Sequence, residues 1–196
     1  MPERISDELL FERAKGGDQA AFVELYERHR NAVFRFAYRL LGSAESAEDV
    51  THDCFLSLIR RPEGFEPSRG GLRTYLYAAA RNLSLKHFRG SGRTGSFEEL
   101  SEEPAGPARE QPIHRLLAGE LSQKVKEAVM SLPPLQREAL VLFEYEGLAL
   151  SEIADVVGSD VGAVKARLHR AREGLRATLR PYLLNSALEI ATLEKP

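Results

Sequence analysis

Few side chains in this sequence are spaced for catalysis. Glu48 and His52 stand four residues apart, one helical turn, a spacing that metal ligands use. No third or fourth ligand lies near them, and the other histidines, at 29, 87, 114 and 169, are scattered. Cys54 is the single cysteine, which excludes an internal disulfide and a thiolate zinc cluster. A reactive thiol needs an electropositive, partly exposed niche, whereas Cys54 shares an apolar stripe with Val50 and Leu58 and reads as a buried structural thiol. Glycine-rich phosphate loops, the paired-histidine zinc helix and the G-x-S-x-G nucleophile turn are all absent. The residues therefore point to a binding protein, not an enzyme, with no cofactor and no metal.

The chemistry that is present is electrostatic. The 196 residues carry 27 Lys and Arg against 29 Asp and Glu, a net charge of -2, which excludes a protein that coats nucleic acid indiscriminately. The charge is unevenly spread. Residues 60–95 hold 8 basic and 2 acidic side chains, and residues 161–180 hold 6 and 1, while 1–59 and 96–112 are each net acidic. Two compact basic blocks form either two footprints for a polyanion or two solvated helix faces.

The second block has an internal logic that favours DNA. In LSEIADVVGSDVGAVKARLHRAREGL, Leu150 to Leu175, Ile153, Ala154 and Val157 make a short apolar helix face. Gly158 sits where the chain must turn sharply, and Asp160 can cap the helix that follows. Val164, Leu168 and Leu175 face inward, leaving Lys165, Arg167, His169, Arg170 and Arg172 outward. A helix presented this way can enter the major groove, with its early residues near base edges and later cations near phosphates.

The elements that position these residues are all helical. Apolar spacings of three and four predict helices over Asp7–Lys15, from Asp18 to Leu41, and over Ala44–Arg60. A loop at Glu63–Gly71 precedes a helix from Leu72 to Phe88. Further helices are expected at Leu116–Met130, from Pro134 through Tyr145, over Leu150–Val157, and from Val161 to about Leu179. Gly90–Pro112 holds four Gly, three Pro and almost no large apolar side chains, so it cannot offset its ordering entropy and reads as an acidic linker with at most a brief turn at Phe97–Leu100. The expectation is an all-α protein of two small helical domains, 1–89 and 113–180, joined by residues 90–112, the second domain holding the helix-turn-helix. No apolar run approaches the roughly 18 residues that span a bilayer, and the first twenty residues lack a signal-peptide core, so no membrane insertion and a cytoplasmic location are expected.

Taken in order, DQAAFVELYERHRNAVFRFAYRLLG, AESAEDVTHDCFLSLIRR, FEPSRGGLRTYLYAAARNLSLKHFRG and SLPPLQREALVLFEYEGLALSEIADVVGSDVGAVKARLHRAREGL resemble the extracytoplasmic-function branch of the sigma-70 family, over about residues 7–179. The resemblance implies a subunit that joins core RNA polymerase and directs promoter-specific initiation. It implies that Glu48, Asp49, His52 and Asp53, on Ala47–Arg60, meet the coiled coil of the largest polymerase subunit. His52 replaces a Gln more common in the family. The loop Glu66–Gly71 and the helix after it would hold the opened strand of the -10 element. Arg69, Arg73, Arg81, Lys86 and Arg89 would contact phosphates there and Asn82 a base edge, with Tyr77 as the exposed stacking ring and Tyr75, at a common Trp position, in the core. The -35 element would be read as duplex by Gly162, Lys165, Ala166, Arg167, His169, Arg170 and Arg172.

Three departures bear on that reading: Ala149 where a Ser cap is common, Ala166 where a small hydroxyl residue is common, and Asp160 in place of a frequent Pro. An anti-sigma factor is implied as a further partner. The linker carboxylates Glu98, Glu99, Glu102, Glu103 and Glu110 fit either mimicry of nucleic-acid charge in a basic channel or simple solubility. The apolar residues of 181–196 fit packing on a domain or on a partner. A regulator that binds only duplex DNA is the alternative function, but it would leave the first domain's basic, aromatic loop and helix without a use.

Overall fold

The computed structural model describes the backbone of residues 5–90 and 112–193, with side chains described for 5–68, 70–88 and 120–182. The linker residues 91–111, their proposed turn and acids, and the side chains of Arg69, Arg89 and 183–196 lie outside the described residues.

The architecture is all-α: two helical subdomains. The first comprises α1 (Asp7–Lys15), α2 (Gln19–Leu41), α3 (Ala44–Arg60) and α4 (Leu72–Gly90), with short 3-10 turns at Pro62–Gly64 and Pro67–Arg69. Side-chain caps start its helices. Ser6 accepts from the Leu9 amide at 3.2 Å, and Asp18 from the Ala21 amide at 3.1 Å. Asp18 also accepts from Arg13 at 2.7 Å, which fixes the corner between α1 and α2. Asp7 anchors the other end of α1 to α2 through Arg28 at 2.9 Å and His29 at 2.7 Å. Burial pushes the Asp7 carboxyl up, but its hydrogen bonds and electrostatic interactions with Arg28 and His29 outweigh it and hold it below the usual carboxylate range.

Leu25, Val33, Phe36, Val50, Cys54, Leu58, Leu72 and Leu76 fill the core between α2, α3 and α4. Cys54 is fully buried and donates to the Leu76 carbonyl at 3.5 Å. Burial pushes its thiol up to about 12, so it is chemically quiet, as its apolar stripe implied.

The second subdomain comprises α5 (Pro112–Ser131), α6 (Pro134–Leu140) running into a π-helical turn at Val141–Tyr145, α7 (Leu150–Val157) and α8 (Val161–Leu193). Helix α5 starts four residues earlier than its sequence pattern suggested, and α8 runs well past Leu179 with Pro181 inside it. Leu140, Val141, Leu142, Ile153, Val164, Leu168 and Ala171 form the buried centre. Gly158 ends α7 at φ 63°, the left-handed geometry that favours glycine, and Asp160 caps α8 by accepting from the Ala163 amide at 2.8 Å. Ala149 has no side-chain acceptor; Glu152 compensates by reaching back to the Ala149 amide at 2.8 Å.

The two subdomains pack against each other, chiefly α4 on α7 and the end of α2 on α6. Gly42 serves this junction twice. It ends α2 at φ 72°, and a β-carbon there would lie 2.7 Å from the Met130 methyl on α5. Arg137 bridges the same place. Its buried guanidinium donates to the Leu132 carbonyl at 3.1 Å and to that of Met130, ending α5, and across the junction to the Leu40 carbonyl at 2.8 Å, ending α2. Burial lowers its pKa from the ordinary guanidinium value.

Candidate nucleic-acid interface

Helix α3 buries Ala47, Val50, Thr51, Cys54, Phe55 and Leu58, which turns Glu48, Asp49, His52 and Asp53 outward. All four are exposed, so the structure brings this predicted set together on one face. Glu48, Asp49 and His52 edge a cleft of about 540 Å³ whose opposite wall is Tyr26, Arg30, Asn31 and Phe34 from α2. An acidic rim beside a mixed aromatic and polar floor suits a basic partner helix.

The loop before α4 is pinned from below. Phe65 is buried, its ring 5.0 Å edge-on from Phe11 and 5.4 Å from Tyr75. Above it lies a cavity of about 300 Å³ lined by Gly64, Glu66, Gly70, Gly71, Thr74 and Ala78, with Asp155 of α7 on its far side.

On α4 itself the side chains divide differently from the sequence expectation. Tyr77 was expected to be the exposed ring and Tyr75 the core residue. Instead Tyr77 is 1% exposed and Tyr75 is half-buried. The reason is that α4 is covered on two sides, by α2 and α3 and by α7, so its buried surface (Leu72, Leu76, Tyr77, Ala80, Ser84) is wider than one stripe. The Tyr77 ring meets Phe36 edge-on at 5.2 Å and its hydroxyl donates to Glu146 at 2.5 Å. Burial first, then the Glu146 carboxylate, raises the Tyr77 pKa far above the ordinary phenol value.

The cations around Tyr77 are engaged as well. Arg73 donates to the Glu146 backbone carbonyl and lies over the Tyr77 ring at 5.6 Å. Arg81 makes a two-pronged pair with Glu138 at 2.7 and 3.2 Å. Asn82 and Lys86 are exposed.

Glu138 and Glu146 are both nearly inaccessible, at 3% and 6% exposure. Sequence reading missed them, along with Arg137. The one available signal was their position inside the apolar stretch Leu135–Leu148, where an unpartnered carboxylate would be costly.

Helix α8 keeps its polar face open. Gly162, Lys165, His169 and Arg170 are exposed opposite Val164, Leu168 and Ala171. Ala166 is half-buried. Arg167 was expected to face outward; it is half-buried because it turns toward Glu138, 3.6 Å away. Arg172 is exposed, pairs with Glu144 at 2.7 Å and lies over the Phe143 ring at 5.3 Å.

This helix-turn-helix falls within residues 122–175, which match the family model for sigma-70 region 4; the cleft, loop and α4 fall within residues 25–94, which match the model for sigma-70 region 2. The ECF RNA polymerase sigma factor SigE of Mycolicibacterium smegmatis is 37% identical over 183 residues, 89% of this chain and 67% of that protein. SigW of Bacillus subtilis, another ECF RNA polymerase sigma factor, is 30% identical over 179 residues, covering 86% of this chain and 94% of that one. The chain belongs to the ECF sigma factors. As a sigma factor it is a non-catalytic specificity subunit that directs RNA polymerase to promoters. Among solved structures, the sigma factor RpoE of Bartonella quintana, in complex with the anti-sigma factor NepR, aligns with a TM-score of 0.67 at 25% identity, over 81% of this chain and 96% of that one. Among the described residues of this sigma factor, no helix is long and apolar enough to cross a membrane.

Proposed function

We propose that the sigma factor divides its work by subdomain. Residues 1–89 form the region 2 domain, 90–112 the linker, 113–180 the region 4 domain and 181–196 a C-terminal extension. The exposed acids of α3, Glu48, Asp49 and Asp53 with His52, dock on the coiled coil of the largest polymerase subunit. The loop and α4 take the opened strand of the -10 element through Arg69, Arg73, Arg81, Asn82, Lys86 and Arg89. The helix-turn-helix is DNA-binding and reads the -35 duplex, with Gly162, Lys165 and Ala166 nearest the bases and Arg167, His169, Arg170 and Arg172 toward phosphates. Its working place is the cytoplasm, with core polymerase. The NepR complex of the Bartonella relative supports an anti-sigma factor as a third partner.

The observation that carries this reading is the outward placement of the α3 acids and of the early α8 residues on separate, open faces. It is tested by transcription with purified core polymerase and this chain on a genomic fragment pool, with start sites mapped. The parent is expected to yield a discrete set of starts sharing two upstream elements. Asp49→Lys combined with Asp53→Lys is expected to lower core affinity several-fold while leaving the fold, followed by circular dichroism, intact. Unchanged core affinity would remove α3 from the docking surface.

A further inference from the structure

We propose that Phe11 of α1 is a positioning residue for promoter recognition: its ring holds Phe65, and through Phe65 the loop before α4, where that loop selects one base of the -10 strand. The inference rests on the assignment of the loop and α4 to the opened strand made above.

Helix α1 lies ahead of residues 25–94, which match the region 2 model, and carries none of the side chains assigned to DNA or polymerase. It is nevertheless clamped on α2 at both ends. At its start Arg28 donates to the Ile5 carbonyl at 2.7 Å and to Asp7 at 2.9 Å; at its end Arg13 pairs with Asp18 at 2.7 Å. Between the clamps, the buried Phe11 ring meets Phe65 edge-on at 5.0 Å.

Phe65 is the loop's buried anchor. Among the described side chains of residues 61–71 it alone is buried. The Gly64 amide donates to the Arg61 carbonyl at 2.9 Å and the Phe65 amide to the Pro62 carbonyl at 3.3 Å, bonds that fold the loop on itself without tying it to α1 or α4. Its place over the helices is set instead by three rings in a row, Phe11 of α1, Phe65 of the loop and, 5.4 Å further, Tyr75 of α4. The fit is close, since a β-carbon at Gly64 would lie 3.0 Å from the Tyr75 hydroxyl. Phe11 also lines an open groove of about 560 Å³ with Phe22, Leu25 and Leu58. With Phe11 shortened, Phe65 would border that space and lose its packing there, and the loop would settle toward it.

Such a shift acts on base selection more than on binding. A phosphate contact from Lys86 belongs to α4 and does not move with the loop. Selection of a base needs the groups around it held to about 0.5 Å by packed supporting side chains.

The test uses holoenzyme assembled from core polymerase and full-length chains. Its probe is fork-junction DNA with the -35 duplex of a mapped promoter and a single-stranded -10 region of randomised sequence. Sequencing the retained fragments gives the base preference at each position. Phe11→Ala is expected to flatten the preference at one -10 position by about fivefold, the low end of what one base contact contributes, with core affinity and the other positions near the parent values. Phe11→Leu, which refills most of the space, is expected to keep a near-parent preference. Leu10→Ala, also buried on α1 but with no ring against Phe65, is expected to leave it unchanged. Phe65→Ala is expected to flatten the same position, and adding Phe11→Ala to it to bring no further loss, because Phe11 acts through Phe65. Should Phe11→Ala fail to fold by circular dichroism, Phe11→Val replaces it, with a greater loss expected than for Phe11→Leu.

A parent-like preference in the shortened Phe11 variant, or an equal loss in Leu10→Ala, overturns the positioning role. Additive losses overturn the route through Phe65. The loop variant Glu66→Ala/Ser68→Ala, both exposed, separates the two levels. A -10 preference that shifts in the loop variant but not in the Phe11 variant overturns this inference alone. Parent-like preferences in both the loop variant and Phe65→Ala overturn the loop's strand-binding role, and the inference with it.

Discussion

Helices α4 and α8 lie in the two basic blocks of this sigma factor, and they end up in opposite states. On α8 the early polar face is open: Lys165, His169 and Arg170 are exposed, and only Arg167 turns inward. On α4 the corresponding face is half consumed. Arg81 is bonded to region 4 and half-buried and Tyr77 is buried, while Arg73, though it too bonds region 4, stays exposed with Asn82 and Lys86. The difference lies in the neighbours and not in the helices. Helix α8 packs one side on α5, α6 and α7, whereas α4 is covered by its own subdomain and also by α7. A basic helix face in a sequence therefore reports what the helix can bind, while the tertiary structure decides whether that capacity is already filled from within.

The largest effect should come from removing the residue that holds this difference in place. Arg137 joins the carbonyl ends of α2 and α5 through Leu40, Met130 and Leu132. Arg137→Ala leaves several buried acceptors without donors and should cost about 2–4 kcal/mol in chemical unfolding. The α4 amides should then exchange hydrogen faster, making α4 as accessible as α8. A loss below about 0.5 kcal/mol, within the ordinary range for surface substitutions, would show that the junction does not depend on this bridge.

Much of the fold was legible in the sequence because its signals are local. Ser6, Asp18 and Asp160 cap where they were expected, and Gly42 and Gly158 end their helices with positive φ. The apolar stripe through Val50, Cys54 and Leu58 placed the α3 acids outward correctly. What failed was non-local. Periodicity assigns a helix one buried stripe, and the family's common Trp position put Tyr75 inside and left Tyr77 as the exposed ring; neither could foresee a second covering surface. Burial of Glu138 and Glu146 depends on Arg81, 57 residues away, and on Tyr77, 69 residues away. No pattern within one helix records such a pairing.

On the open helix the expected effect is one of discrimination. Lys165 is exposed one turn into α8, within reach of base edges in the groove. Lys165→Ala should lose about 1–3 kcal/mol of preference at one -35 position while sparing the others, measured as an affinity series over single-base variants. A uniform loss across the series would make Lys165 a phosphate contact.

On the closed helix, Tyr77→Phe keeps the ring and removes the hydroxyl donated to Glu146, at a cost of about 1 kcal/mol in unfolding. The pH dependence has a definite sign. Because the folded state raises the Tyr77 pKa, its contribution is complete below the ordinary phenol value of about 10 and is lost as pH climbs above it. Burial also raises Tyr75, so an ultraviolet titration should show late-ionising tyrosines, and Tyr77→Phe should remove the latest step. A titration in which Tyr77→Phe removes an ordinary step would mean that α4 is open in solution.

The smallest effect belongs to Arg172, and its smallness sharpens the contrast. It lies nearly three turns into α8, past reach of the bases, and is already paired with Glu144 at 2.7 Å in an exposed bridge. An exposed pair of this kind competes weakly with phosphate, unlike the buried Arg81–Glu138 fork. Arg172→Ala should weaken duplex binding about equally across sequences and lower the salt dependence by at most roughly one unit of slope. The Glu144 pairing should hold the change below a full unit, since part of the cation's charge is neutralised before DNA arrives. Glu144→Gln should then raise affinity slightly and steepen the slope, and only while Arg172 is present. Affinity measured at two salt concentrations for both single variants and the double variant resolves the coupling. Additive effects would mean that Glu144 does not restrain Arg172; sequence-specific losses for Arg172→Ala would reverse the orientation assigned to α8 in the groove.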